Sequence, residues 1–223
     1  MEQTMNRRYL PGTFGWAQFG TIHVPYIYRN SQKYMCVRML FAEPVLFKCR
    51  NFMHPDIFAL CGHMTRLPIT SSEMRLLNEI NRDHCDGQFS SEKFTLRDTV
   101  IHIIDAYEFY LFLGFCCNKL TRGSRFPWEP CSFIRIAGSF LVPYIVRNNQ
   151  KIMPIFFFTR ESEPLQSNEE PVTGWDLSYM KFCCRLLNIR EELCSGDHLT
   201  AISLNEIEDA FPSGYDCEEC WPF

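Results

Sequence analysis

The pattern of apolar and polar positions first becomes regular at Gly20–Leu40. Ile22, Val24, Tyr26 and Tyr28 alternate with His23, Pro25, Ile27 and Arg29, the period of two expected of a strand. Arg29-Asn30-Ser31-Gln32-Lys33 is a polar turn in which Asn30 tolerates the left-handed backbone of a tight hairpin, and Tyr34–Leu40 returns as a second strand. A second hairpin begins near Phe140, with Leu141, Pro143 and Ile145 on one face and Phe140, Val142 and Tyr144 on the other. Because proline lacks a backbone donor, Pro25 and Pro143 predict that the first strand of each hairpin lies at a sheet edge or carries a bulge. Helices are expected beyond each hairpin. Thr70 and Glu73 have the spacing of a capping box ahead of Met74, Leu77 and Ile80, and Thr95–Asp98 repeats the signal before a long helix from about Asp98 to Phe115. The corresponding later helices are Trp175–Ile189 and Ser203–Ala210, the second ended by Pro212.

The two hairpins are similar in sequence. GTIHVPYIYRNSQKYMCV (Gly20–Val37) reappears as GSFLVPYIVRNNQKIMPI (Gly138–Ile155), with ten of eighteen positions identical. Weaker echoes follow in the same order: Arg75–Asn78 with Arg185–Asn188 (both RLLN), Phe94-Thr95 with Leu199-Thr200, and Asp105–Tyr107 with Asp209–Phe211. The expected fold is therefore α+β, two tandem divergent copies of a hairpin-plus-helices module about a pseudo-twofold axis. The predicted boundaries are an N-terminal arm over 1–15, a first module over 16–118, a linker over 119–133, a second module over 134–212 and an acidic, aromatic tail over 213–223. A repeat this long signals a duplicated domain and not a solenoid unit.

Composition adds compartment and charge. The 223 residues carry 46% hydrophobic and 15% aromatic side chains, ample for a core. The net charge of −4 conceals an uneven distribution. Met1–Arg66 holds eight Lys/Arg against three Asp/Glu, whereas Glu191–Phe223 holds nine acids and no Lys or Arg. Twelve cysteines with no apolar leader and no Asn-x-Ser/Thr sequon point to reduced thiols and an intracellular protein of nucleus or cytoplasm. Cys116, Cys117, Cys131, Cys183 and Cys184 lie in apolar surroundings and are expected to pack as small hydrophobes. The most apolar stretch, Thr99–Cys117, contains His102, Asp105 and Glu108, which disfavours a membrane span.

Candidate chemistry is sparse. Cys217 and Cys220 form half a zinc site, whereas structural zinc needs four converging ligands, so no metal and no cofactor is expected. No P-loop, GxSxG, HExxH or GxGxxG occurs. His84, Cys85 and His102 are the residual candidates if the chain is an enzyme, which is not the expectation. The retained turn is the sharpest feature: Arg29, Asn30, Gln32 and Lys33 recur as Arg147, Asn148, Gln150 and Lys151. Turn geometry explains Asn but does not require Arg or Lys, so the alternatives are turn stability with sheet packing, or binding by the hairpin tips. Trp221-Pro222-Phe223 closes the acidic tail as a candidate docking peptide, with Trp221 and Phe223 its anchors.

The expected function is a non-enzymatic protein-interaction module, an adaptor or regulatory subunit of a nuclear assembly, whose partner is another protein. The alternative is a nucleic-acid-binding regulator using Arg29, Lys33, Arg38, Lys48 and Arg50, which the overall negative charge disfavours. If the tips bind, reversing Arg29 and Lys33 to Glu is expected to spare folding and abolish capture.

Overall fold

Both predicted hairpins form, each around a two-residue turn. In the computed structural model, which describes residues 13–46, 55–122, 129–158, 169–189, 193–210 and 216–222, Arg29 pairs with Gln32 and Arg147 with Gln150. The intervening Asn30-Ser31 and Asn148-Asn149 all have positive φ, between 50° and 65°. Positive φ at both central positions is the signature of a type I′ turn, whose twist matches that of the flanking strands.

The chain divides into two units, one of Met1–Phe52 with Met64–Gly114 and the other of Met53–His63 with Phe115–Phe223. The first contains β1 (Phe14–Phe19), β2 (Ile22–Arg29), β3 (Gln32–Cys36), β4 (Leu67–Pro68) and β5 (Thr99–His102) in one antiparallel sheet of order β1-β2-β3-β5-β4. With them are α1 (Val37–Leu40), α2 (Glu43–Leu46), α4 (Ser71–Asp83) and the start of α5 (Ile103–Arg122). The second unit contains α3 (Pro55–Ala59), β6 (Cys131–Ile136), β7 (Phe140–Arg147), β8 (Gln150–Pro154), β9 (Glu170–Val172), α6 (Gly174–Leu186), β10 (Leu199–Ser203), α7 (Leu204–Ala210) and β11 (Cys217–Cys220). Its antiparallel sheet has the order β11-β6-β7-β8-β10-β9. The architecture is thus mixed α+β with two antiparallel sheets.

Several expectations are corrected. Pro25 and Pro143 sit on interior strands, because β1 and β6 cover their outer sides. Backbone bonding alternates in direction along an antiparallel strand. The amide of Tyr28 donates toward β1, to Thr13 O, so that of residue 25 would face β3. The β2–β3 ladder ends at Ile27, two residues short of Pro25, so the missing donor costs nothing. The strand predicted over Tyr34–Leu40 stops at Cys36 and turns into α1, which buries Met39 and Leu40. Thr99–His102 is strand β5 and not the first turn of the long helix; Asp98 instead accepts from the amide of Thr95 and from Arg38 in a loop. β1 begins within the predicted arm, the end of α5 and the start of β6 lie in the predicted linker, and β11 lies in the predicted tail. The stop at Pro212 falls outside the described residues.

The ladders also realign the weaker echoes. Pro68 and Pro171 pair with Thr99 and Thr200, and the third residues of α4 and α6 are Glu73 and Asp176. These equivalent residues are 103 and 101 apart, whereas the echoes named from the sequence are 110, 105 and 104 apart. Arg75–Asn78 lies early in α4, but Arg185 lies in the last turn of α6. That shift of seven residues is about two helical turns, so the match reports helical periodicity and not equivalent positions.

The capping box of α4 forms as predicted, with Thr70 Oγ1 accepting from the amide of Glu73 and the Glu73 carboxylate accepting from that of Thr70. Leu77 and Ile80 are buried. Two asparagines on this helix hold the following loop. Asn78 bonds both backbone groups of Phe94, and buried Asn81 donates to Ser90 O and accepts from the amide of Phe89. Asn81→Ala orphans these loop groups and is expected to lower stability by about 1–3 kcal/mol, read as a lower urea midpoint at unchanged slope. In the second unit, Ile134, Ile136, Val142, Tyr144, Met153 and Ile202 form one sheet face covered by Ile207 of α7. The five cysteines expected to pack as hydrophobes are all buried. Among the described residues no helix is long and apolar enough to cross a membrane.

Candidate functional site

The retained arginines fasten each turn to the helix that follows. Arg29 Nε and Nη2 both bond the Glu73 carboxylate at 2.8 Å, and Nη2 also donates to Pro68 O at 3.0 Å. Arg147 Nε bonds Asp176 at 2.8 Å, while its Nη1 reaches Glu170 at 3.1 Å and Pro171 O at 3.3 Å. Each guanidinium joins a hairpin end to the acidic third residue of a helix and to the backbone of the strand before it. Arg29's hydrogen bonds hold the Glu73 carboxyl below its ordinary range. The fork geometry needs Arg, because only guanidinium offers parallel donors.

The retained lysines lie on the opposite sheet face. Lys33 Nζ stands 5.0 Å from the centre of the Tyr26 ring, and Lys151 Nζ stands 5.4 Å from that of Tyr144. Lys33 is exposed. Lys151 makes a short ion pair with Glu219 of β11. Burial, with Glu219 adding its charge, raises the Tyr144 hydroxyl. Gln32 and Gln150 are exposed, with Gln32 Oε1 accepting from Tyr34.

The C-terminal segment is docked on its own unit. β11 runs antiparallel to the outer side of β6, with Glu219 opposite Ile134 and Cys220 opposite Phe133. The Trp221 ring lies 5.2 Å from Phe133, stacks on Phe182 of α6 at 6.5 Å and faces Lys119 Nζ at 4.4 Å. The Lys119 side chain is wholly buried and paired with Glu129 at 2.5 Å. CEEC has no alternation of apolar and polar positions to mark it as a strand, and an acidic tetrapeptide is not read that way until its partner strand is known. Phe223 lies outside the described residues.

Comparison with protein-family models, with curated proteins and with solved structures finds no match to this chain.

The remaining candidates are placed one by one. On β11, Cys217 and Cys220 are three apart and so point to opposite faces, which prevents them from sharing an ion. Among the described residues no group of three His, Cys, Asp or Glu is placed to hold a metal. Burial raises the Cys85 thiol to about 11 and Cys61 to about 12, so at neutral pH both are thiols and poor nucleophiles. His84 caps α4 and packs against Phe14 at 5.4 Å. His102 ends β5, accepts from the amide of Ile104 through Nδ1 and meets Tyr34 edge-on. His102 thus belongs to the strand, and Asp105 to the first turn of α5. Of the five cations grouped for nucleic acid, Arg29 is paired with Glu73 and Arg38 with Asp98 at 2.6 Å, stacked on Phe94. Lys48 and Arg50 lie outside the described residues.

Proposed function

We propose that this chain is a non-enzymatic protein-interaction module, an adaptor or regulatory subunit, built from two divergent copies of one hairpin-plus-helices unit. The observation that carries the reading is the shared frame of strand order, ladder register, I′ turn and Arg–acid clasp, combined with exposed polar and aromatic side chains on the first unit. Gln32, Lys33, Tyr28 and Trp16 are all exposed there, and aromatics beside a cation are typical anchors of protein interfaces. Arg29 and Arg147 serve the clasp, so binding falls to the exposed tip residues Gln32 and Lys33 and to the sheet edge that carries Trp16. The nucleic-acid reading is weaker because two of its five cations already face internal carboxylates.

The test is crosslinking and affinity purification from extract with wild-type and Lys33→Glu/Gln32→Ala baits. The double variant is expected to keep its melting temperature and lose the crosslinked partner. An unchanged partner set would remove the first hairpin from the interface.

A further inference from the structure

The second unit shows what the outer edge of such a sheet accepts, and the first unit has the same edge open. The registers set the equivalence: Trp16 opposes Pro25 as Phe133 opposes Pro143, and Ala17 opposes Val24 as Ile134 opposes Val142. On the second unit, β11 covers this edge with Glu219 on one face, bonded to Lys151, and Trp221 on the other, over Phe133. As a result Phe133 is fully buried. On the first unit, no described strand pairs with the outer side of β1. Trp16, the equivalent of Phe133, is 41% exposed. Lys33 holds its position over Tyr26 without a carboxylate among the described residues. An open edge with an uncovered aromatic and an uncompensated cation is a template for strand addition.

We infer that the outer edge of β1 takes up an acidic extended segment of another protein, with a Glu opposite Ala17 reaching Lys33 and an aromatic residue two positions later covering Trp16. The inference rests on the interaction-module reading and names its partner class. Charge favours such an occupant, since exposed Lys33 stands beside this edge over Tyr26 and would draw an acidic peptide in. The tail of a second copy has the right chemistry but is already used on its own β6, and moving it would uncover Phe133.

The probe is a capped peptide of residues 216–222 with Ser in place of both cysteines, titrated into the full chain. The expected result is one-to-one binding with slowed amide exchange over Phe14–Phe19. Affinity should fall by about tenfold or more with Lys33→Glu or with Gln in place of the peptide's second Glu, as expected for a close interfacial charge pair. Lys33→Arg should retain it. Lys151→Glu should not change it. Absence of binding, binding that depends on Lys151 in place of Lys33, or protection of β6 would overturn the inference. Self-association abolished by Lys33→Glu before any peptide is added would also overturn it, by assigning the edge to a second copy. If the peptide fails while Lys33-dependent capture persists, the strand-addition site falls and the interaction module stands.

Discussion

Arg29→Glu lowers the unfolding free energy of the protein by about 3 kcal/mol, and Arg147→Glu does so by less, about 1 kcal/mol, because its partners Glu170 and Asp176 are 40% and 38% exposed, whereas Lys33→Glu leaves it within about 0.5 kcal/mol. Equilibrium urea unfolding of the three variants checks this. The basis is the clasp. Only 14% of the Glu73 side chain is exposed, and it accepts two bonds from Arg29 as well as the amide of Thr70. A reversed charge leaves two carboxylates facing each other where one ion pair stood. Most exposed ion pairs contribute little, but a bidentate, half-buried pair that also caps a helix belongs to the stronger class. The pH dependence follows from the direction of the Glu73 shift. Its folded-state pKa is depressed, so the contribution is complete above the ordinary Glu value of about 4.3 and is lost as pH falls through the folded value. The difference between wild type and Arg29→Ala should be largest near neutrality and close in acid. A difference that persists unchanged below pH 3 would show that the guanidinium acts through packing alone. The expectation that reversing Arg29 with Lys33 spares the fold is therefore replaced by one in which only the lysine can be reversed freely.

Trp221→Ala is expected to cost about 2 kcal/mol, less than removing a fully buried aromatic because the ring is only partly buried. The ring covers fully buried Phe133, stacks on Phe182 and closes over the Lys119 ammonium at 4.4 Å. Its loss opens a cavity and removes a cation–π contact from a buried charge. Trp221→Phe should cost much less, because the indole Nε1 is buried and has no partner among the described residues, so no hydrogen bond is lost. A urea midpoint for Trp221→Ala equal to that of the wild type would mean that the C-terminal segment does not hold the second sheet. Deleting residues 216–223 should exceed the single substitution, since it also unpairs the outer edge of β6.

The local chemistry of the turns was legible. Asn at the hairpin tip predicted left-handed backbone, and Asn30 and Asn148 have φ of 51° and 50°, because that preference is a property of one side chain and its own backbone. The Thr70–Glu73 capping box was legible for the same reason. Retention of Arg29 and Arg147 was visible, but its cause was not: their carboxylate partners lie 44 and 29 residues away. From sequence Thr99–His102 looks helical because a short apolar run is alike in a buried strand and a buried helix. The ladder to β3 decided it.

Two similar hairpins with left-handed Asn at their turns, helices beyond them, and a basic start against an acidic end are written in the sequence alone. These follow from short-range preference and composition, which need no partner. The folding of each unit put the prolines on interior strands and made the arginines clasps. It also decided that the CEEC tail is a sheet strand with Trp221 packed against Phe133, and that the outer edge of β1 has no paired strand among the described residues. Each of those depends on which distant residue lies opposite, and pairing across a ladder is set by packing over the whole unit.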